Sequence, residues 1–251
     1  MSSKIWIVGG SSGIGLELVK EWLNEGCSVV VSARKASYSK SLLALKTVYE
    51  AQLQIVDMDV SSQESVKRAV PQAWKRFNGI DTWFYNAAVY EVMSAKEWDI
   101  EHFESMVQIN YMGAVRVMHA LLPYFEDQKS GRWIWNVSLS SYFGLPFGGG
   151  YSAPKAALLN LAESLQPELI EKGIELQVIN HGFVKTRLTH KNKFEMPQLM
   201  LPEAAAKQII ERTEKPYRFE IHFPFKLSTF LQLLKILPYK ISLAITRRMI
   251  P

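Results

Sequence analysis

A tyrosine and a lysine lie four positions apart in the segment Tyr151-Ser152-Ala153-Pro154-Lys155. In a helix this spacing places both side chains on one face, one turn apart. The pKa of a free tyrosine is about 10, and an adjacent ammonium group lowers it by favouring the phenolate. We therefore expect Tyr151 to have a lowered pKa and to exchange a proton with a carbonyl or alcohol oxygen. The alternative is a solvated helix face.

Three serines precede this pair. Ser138 lies thirteen residues before the tyrosine, and Ser140 and Ser141 follow it closely. A serine hydroxyl here would hydrogen-bond the developing oxyanion of a reacting carbonyl. Any of the three could instead cap a turn, and the sequence leaves open which one polarises the carbonyl.

A glycine-rich segment, Gly9-Gly10-Ser11-Ser12-Gly13-Ile14-Gly15, follows a short apolar run and precedes an amphipathic pattern. Glycines in a strand-to-helix turn let the backbone approach a pyrophosphate, and the N-terminus of the helix supplies free N–H groups. The segment therefore predicts a dinucleotide site. Its expected members are Gly9, Ser11, Ser12, Gly13, Ile14 and Gly15.

The second apolar run ends in Ser32-Ala33-Arg34-Lys35. An acid at this point would bind the ribose 2′-hydroxyl of NAD, whereas a cation suits the 2′-phosphate of NADP. Arg34 therefore favours NADP(H) over NAD(H). The alternative is that Arg34 and Lys35 are simply two solvated cations in a loop.

Two more segments would reach the same cleft. Asp59-Val60 follows the third apolar run, and Asp59 could accept a hydrogen bond from the exocyclic amine of adenine. Asn86-Ala87 follows the fourth run and offers small residues where the backbone must approach a cofactor. The alternative, for either segment taken alone, is an ordinary turn without a role in binding.

Short apolar runs alternate with longer helical patterns, and these elements would position the groups above. The predicted strands are Ile5–Val8, Ser28–Val31, Leu53–Val56, Thr82–Tyr85, Arg132–Val137 and Leu176–Ile179. The predicted helices cover about residues 13–25, 39–50, 62–77, 100–127 and 152–172. This alternation predicts an α/β fold with a doubly wound, mostly parallel sheet and helices on both faces. Ligands bind such sheets beyond the carboxyl ends of the strands.

Together the motifs resemble those of the short-chain dehydrogenase/reductase family. The family's T-G-x-x-x-G-x-G falls on Val8–Gly15, with valine in place of threonine, and its N-N-A-G loop is reduced to Tyr85–Ala88. Its remaining motifs match Asn110, Ser138, Tyr151, Lys155 and His181–Thr186. The resemblance covers nearly the whole chain and implies one Rossmann-type domain over residues 1–251.

The resemblance also implies roles for single residues. Asn110, Ser138, Tyr151 and Lys155 would be catalytic, with Lys155 also bonding the nicotinamide ribose and Asn110 holding a relay water.

The family's P-G-x-x-x-T segment, on His181–Thr186, implies that Val184 and Thr186 contact the nicotinamide carboxamide. His181 replaces the family's proline, and it would either place an imidazole near the cofactor or simply pack. Pro154 lies inside Y-x-x-x-K, which we take to mean that the helix has barely begun there.

The composition is that of a globular protein, 48% hydrophobic and 21% charged, with a net charge of +5. Residues 217–251 hold six Lys/Arg against one acid, and subtraction from 29 and 24 leaves 23 of each sign in residues 1–216. The body of the chain is thus neutral, and we therefore expect no nucleic-acid partner.

The single Cys27 excludes an internal disulfide and a multi-cysteine metal site, and we expect no metal. No signal peptide or membrane-spanning run is visible, so we expect a cytoplasmic protein.

Two C-terminal segments bear on the substrate. Residues 187–205 begin as a polar, aperiodic stretch and predict a lid. An apolar wall, suited to a hydrophobic carbonyl compound, is predicted from Phe143, Leu145, Phe147, Phe183, Met196, Leu199 and Met200. The basic, apolar tail of residues 223–251 has Leu227, Phe230, Leu231 and Leu234 at helical spacing. It could dock on the protein, close over the pocket, form a subunit interface or touch a membrane surface.

The sequence thus predicts an oxidoreductase that transfers hydride between NADP(H) and the carbonyl or secondary alcohol of a hydrophobic small molecule. The family resemblance implies a homo-oligomer, a dimer or a tetramer. The alternatives are an NADP-binding regulatory protein without turnover and a membrane-associated interaction protein, either of which would keep the fold without the reaction.

Overall fold

The structure is a computed structural model that describes residues 3–192 and 194–250. Its centre is a sheet of seven parallel strands. The strands are β1 Lys4–Val8, β2 Ser28–Ala33, β3 Leu53–Asp57, β4 Thr82–Tyr85, β5 Gly131–Asn136, β6 Ile174–His181 and β7 Glu220–Phe223. Their order is β3-β2-β1-β4-β5-β6-β7. The direction of winding therefore reverses between β1 and β4, which opens a crevice at their carboxyl ends.

Helices cover both faces of the sheet. They are α1 Gly13–Asn24, α2 Lys40–Val48, α3 Gln63–Lys75, α4 Ile100–Asn110, α5 Met112–Gln128, α6 Gly149–Ile170, α7 Pro202–Thr213, α8 Phe225–Ile236 and α9 Tyr239–Arg247. The apolar sides of α1, α2 and α7 pack on one face. Those of α3, α5, α6 and α8 pack on the other. The predicted α/β class with a doubly wound sheet is confirmed.

The strands are apolar on both sides because both sides are covered. Trp6, Trp83 and Trp133 stand side by side in register on the face under α3 and α5, and all three are fully buried. Their neighbours along the chain point to the opposite face, where Ile7 and Phe84 pack under α1. Large aromatic side chains on one face, and mostly branched aliphatic side chains with Phe84 on the other, explain the near-continuous hydrophobic runs.

The six predicted strands are present, but the predicted helix over 100–127 is two helices. The break falls at Tyr111, where α4 ends and α5 begins. The Tyr85 hydroxyl donates to the backbone carbonyl of Ile109 at 2.6 Å and so engages the end of α4. Gly113 makes this possible, because a Cβ there would lie 2.3 Å from the Tyr85 hydroxyl.

Strand β7 and helix α7 were not predicted from the sequence. Strand β7 has only four residues and includes a charge and a histidine, so it lacks a clear apolar run. Residues 202–205, predicted as part of the lid, are the first turn of α7. The helix that carries Tyr151 also begins earlier than predicted, at Gly149, and Pro154 is therefore its sixth residue rather than lying at its start.

The tail, described here up to residue 250, is docked on the body through its first part. Phe223 ends β7, and Leu231 and Leu234 of α8 are buried against the sheet. In the parts of the chain that the structure describes, no helix has both the length and the hydrophobicity needed to cross a bilayer.

Candidate active site

A cavity of about 300 Å³ opens at the carboxyl ends of the central strands. Most of the residues predicted for cofactor binding or catalysis line it. They are Gly9, Ser11, Ser12, Gly13, Ile14, Arg34, Asp59, Val60, Asn86, Ala87, Ser138, Tyr151, Lys155, Val184 and Thr186. Gly15 and Asn110 are not among the lining residues and lie just behind them.

The turn after β1 needs its glycines. Gly9 has a φ of +92°, and a Cβ there would lie 2.5 Å from the backbone nitrogen of Ala87. The Asn86 side chain donates to the Gly9 carbonyl at 2.8 Å and holds the two strand ends together. Gly15 is also required, since a Cβ would lie 2.2 Å from the Gly9 oxygen. Gly15 therefore shapes the turn rather than the cavity wall.

Helix α1 starts at the cavity and leaves its first N–H groups free. Its N-cap, Ser12, is extended and makes no capping hydrogen bond through its side chain. The first amides of a helix have no partners within the helix, and they attract anions. The glycine turn after β1 and the backbone N–H groups that follow it, which the Ser12 side chain does not cap, fit the pyrophosphate of a dinucleotide.

The end of β2 presents a cation to the cavity. Arg34 is exposed and lines the cavity, whereas the neighbouring Lys35 does not. The carboxylate of Asp57, at the end of β3, accepts hydrogen bonds from the backbone and hydroxyl of Ser37 at 2.8 and 2.5 Å. Asp59 lines the cavity, and one of its oxygens accepts from the backbone of Ser61 at 2.9 Å.

Lys155 is the most deeply buried cation of the site, with 2% of its surface exposed. Its Nζ donates to the backbone carbonyl of Asn136, at the end of β5, at 2.6 Å. Burial away from water lowers the pKa of Lys155 to about 7. The ammonium group is therefore close to its titration point at neutral pH.

Tyr151 lies beside Lys155, with Nζ 5.7 Å from the centre of its ring. Burial in the cavity wall raises the pKa of Tyr151 above its ordinary value, and the adjacent Ser138 hydroxyl opposes this only in part. Contrary to the expectation from the adjacent Lys155, the protein groups alone do not lower the pKa of Tyr151. The physical reason is that loss of hydration dominates and that the ammonium donates to Asn136 instead of the phenol. Tyr151 is therefore a neutral phenol at pH 7, suited to donating a proton.

The structure separates the three serines. Ser141 is buried and donates to Asn180 at 3.2 Å, outside the cavity lining. Ser138 and Ser140 both line the cavity, and their hydroxyl oxygens are 3.0 Å apart. Only Ser138 is placed against Tyr151, and its own hydroxyl oxygen accepts the backbone N–H of Ser140 at 3.2 Å.

Asn110 is fully buried and bonds the loop after β4. Its side-chain nitrogen donates to the Val89 carbonyl at 2.9 Å, and its oxygen accepts the Val89 N–H at 2.8 Å. This pair of bonds fixes the backbone next to the cavity. The relay role implied by the family resemblance stays a prediction.

The segment after β6 forms the far wall. His181 lines the cavity, and its Nδ1 lies 2.7 Å from the Gly182 carbonyl, so this nitrogen carries the proton. Burial, with a smaller contribution from the charge of Lys155, lowers the pKa of His181 to about 4. The imidazole is therefore neutral. Val184 is buried and pairs with Met200 as an isolated bridge.

Tyr90 was not predicted as a site residue, but it lines the cavity. Its ring lies 5.1 Å from that of Tyr151, nearly perpendicular to it. Its hydroxyl donates to the side-chain oxygen of Asn192 at 2.8 Å, in the segment predicted as a lid. The lid residue Lys191 also bonds the Tyr90 carbonyl at 3.2 Å and the Glu91 carboxylate. A tyrosine in a loop gives no sequence signal for such a contact.

The apolar wall differs from the predicted one. Leu145 and Phe183 line the cavity as expected. The predicted Phe143, Phe147, Met196, Leu199 and Met200 do not line it. Other apolar side chains do so, namely Leu139, Pro146, Leu188, Phe194, Leu227 and Leu231. The last two belong to α8, so the tail closes over the cavity, one of the positions considered from the sequence.

The known proteins that this chain resembles agree with the family suggested by its motifs. A family model described as short chain dehydrogenase matches residues 3–196. The chain is 28% identical to an uncharacterized oxidoreductase of Myxococcus xanthus, over 97% of this chain and 96% of the relative.

Solved structures share the fold. A short chain dehydrogenase from Burkholderia cenocepacia in complex with NADP superposes with a TM-score of 0.83 at 20% identity, covering 100% of this chain and 98% of the other. A 3-ketoacyl-(acyl-carrier-protein) reductase from Brucella melitensis complexed with NADH gives 0.80 at 20% identity, covering 90% and 99%.

Proposed function

This chain belongs to the short-chain dehydrogenase family and is an oxidoreductase of that family; we propose that it transfers hydride between NADP(H) and a carbonyl or secondary alcohol carbon of an apolar small molecule. The observation that carries the proposal is that Ser138, Tyr151 and Lys155 share one cavity with the glycine turn after β1. A proton donor, an oxyanion partner and an anion-binding turn are thus available to one bound pair of molecules.

The residues present fit a nicotinamide dinucleotide. The turn of Gly9 to Ile14 would hold the pyrophosphate and Arg34 the 2′-phosphate. Asp59 and Val60 would contact adenine, with Asn86 and Ala87 beneath the dinucleotide. Val184 and Thr186 would hold the carboxamide. When bound, the nicotinamide supplies or accepts the hydride.

The reacting oxygen would be handled by the chain itself. Ser138 donates a hydrogen bond to the carbonyl oxygen and draws charge onto it. Tyr151, a neutral phenol at pH 7, gives its proton to that oxygen as the charge develops. The Lys155 ammonium, held by Asn136, then stabilises the phenolate that remains. In the reverse direction the same groups act in the opposite sense, and the Tyr151 phenolate accepts the proton of the alcohol.

The mechanism is tested with Tyr151→Phe, which keeps the ring but removes the proton. We expect NADPH oxidation over a panel of apolar aldehydes and ketones to fall by about 10²-fold or more, while NADPH binding, followed by fluorescence, stays within about twofold. Full turnover in this variant would refute the mechanism. Tight NADPH binding by the unmodified chain with no turnover on the whole panel would favour the regulatory alternative.

The choice of NADP(H) rests on Arg34. Proteins with this fold are known in complex with NADP and with NADH, so the fold alone leaves the choice open. A charge-assisted hydrogen bond contributes about 1.5–3 kcal/mol, or roughly 10- to 150-fold in affinity. Arg34→Ala should therefore raise the dissociation constant of NADPH by at least about tenfold and leave that of NADH nearly unchanged. Lys35→Ala, the adjacent cation outside the cavity, is the matched control, and equal effects of Arg34→Ala on both cofactors would refute the preference.

A further inference from the structure

Helices α8 and α9 and the residues directly after α9 expose an unusual number of large apolar side chains. Eight of the eighteen large hydrophobic residues that are exposed among the described residues lie within residues 225–250. They are Phe225, Leu233, Ile236, Tyr239, Ile241, Leu243, Met249 and Ile250. This stretch is about a tenth of the chain, so the apolar exposure is concentrated here. Concentrated apolar exposure marks an interaction surface more often than scattered single residues do.

The two sides of α8 differ in burial. Leu231 and Leu234 are buried against the sheet, and Leu227 and Leu231 reach the cavity. On the opposite side of the helix, Phe225 and Ile236 are 74% and 80% exposed. These two residues are eleven positions apart, which is three helical turns, so they lie in one line along the outer face. The outer face of α8 therefore exposes Phe225, Leu233 and Ile236, which the described residues of the chain do not cover.

Helix α9 also has two different sides, but its most buried residues are polar and large apolar residues are exposed. Its fully or nearly fully buried residues are Ser242 and Thr246, whose hydroxyls bond carbonyls of their own segment, Pro238 at 3.4 Å and Leu243 at 3.3 Å. Leu243, by contrast, is 56% exposed and Tyr239 is 75% exposed. Self-bonded hydroxyls face the protein while larger apolar groups face outward. Ile245 packs against the core, but burial within the described part of the chain does not explain Tyr239, Ile241 and Leu243.

Cations surround these apolar groups. Residues 221–250 contain Lys226, Lys235, Lys240, Arg247 and Arg248 but no acid. None of the five takes part in a salt bridge within the ranges that the structure describes. Lys240, Arg247 and Arg248 border one shallow depression, together with Leu243 and Ala244. Such a depression suits a phosphate or carboxylate group.

We propose that α8 and α9 form a docking surface for a membrane that contains anionic lipids. The apolar side chains would enter the boundary between headgroups and acyl chains, and the five cations would meet the lipid headgroups. A second copy of the chain is the less complementary occupant, because a symmetric contact would bring this patch of cations against the same patch. The proposal adds a location to the proposed function and does not depend on it.

The test is co-sedimentation of the full chain with vesicles of phosphatidylcholine, with and without phosphatidylserine. We expect binding to the phosphatidylserine vesicles, at least tenfold weaker binding to pure phosphatidylcholine, and a loss of binding as salt is raised. Phe225→Ser combined with Ile236→Ser should weaken binding at least tenfold, and so should Lys240→Glu combined with Arg247→Glu.

Tyr38→Ser combined with Val48→Ser is the matched control, since these residues are 80% and 72% exposed elsewhere on the surface. Circular dichroism and thermal unfolding, measured for every variant, verify that each one is folded. Binding that is absent, insensitive to phosphatidylserine or unchanged in the α8 and α9 variants would overturn the proposal. So would a concentration-dependent dimer that the same substitutions abolish, because the surface would then be covered by a second copy.

Discussion

Lys155→Met should make the protein more stable at low pH while removing its activity. The side chain is 2% exposed, and its pKa falls from 10.5 to about 7 on burial. Since each pKa unit corresponds to about 1.4 kcal/mol, keeping this ammonium buried and charged lowers the free energy of unfolding by about 5 kcal/mol. Methionine fills a similar volume without a charge. It leaves the Asn136 carbonyl without its partner, which costs about 1–3 kcal/mol, so the net gain is about 2–4 kcal/mol at pH 6.

The dependence on pH distinguishes this cause from others. A lysine with a lowered pKa in the folded state binds fewer protons there than in the unfolded state between pH 7 and 10.5. The stability of the unmodified protein therefore rises with pH across this window, and it falls again as the pH is lowered towards 7. From the two pKa values, the gain between pH 6 and pH 9 is about 3 kcal/mol. The advantage of Lys155→Met should shrink by the same amount.

Urea unfolding followed by tryptophan fluorescence, at pH 6, 7, 8 and 9, would measure both proteins under identical conditions. Other groups that titrate contribute equally to both and cancel in the difference. Lys207→Met, at an exposed lysine of α7, is the control and should show no such trend. A difference between Lys155→Met and the unmodified protein that does not change with pH would refute the lowered pKa. A variant that is less stable at pH 6 would refute the sign of the argument.

Three further predictions follow from single contacts. Tyr90→Phe removes the hydrogen bond to Asn192 but keeps the ring beside Tyr151, so steady-state kinetics should show a KM raised a few-fold with kcat retained. Tyr90→Ala also removes the ring and should lower kcat as well. Identical kinetics for the two variants would contradict a positioning role of the ring. Gly9→Ala should weaken NADPH binding at least tenfold in a fluorescence titration, because its Cβ would lie 2.5 Å from the Ala87 nitrogen at a φ of +92°. Gly26→Ala is the control. Its φ of +81° strains an alanine, but no neighbour lies within 4 Å, so this variant should bind NADPH normally. Because burial raises the pKa of Tyr151, the rate of alcohol oxidation should still be rising at pH 9, and a plateau below pH 8 would show that the pKa is lowered instead.

The parallel sheet could be predicted because its signal is local. Each central strand is a run of apolar residues that is continuous enough to be recognised alone, and the turn after the first strand needs glycine for reasons of backbone geometry. Strand β7 was missed because a four-residue edge strand with a charge has little local signal. Helix α7 was missed because its first turn was assigned to the lid. The break at Tyr111 depends on a hydroxyl from another strand and on Gly113, which makes room for it.

The sequence by itself determined the residue types at the strand ends and hence the chemistry of the cavity, because the motif spacing places them after successive parallel strands. Only the tertiary structure decided the protonation of Tyr151 and Lys155, since burial depends on every element around the cavity and here outweighs the charge of a neighbour. It also decided which serine lies beside the phenol, and it placed one side of α8 over the cavity and left the other side exposed. Such assignments depend on contacts between residues far apart in the chain, which spacing along the sequence does not encode.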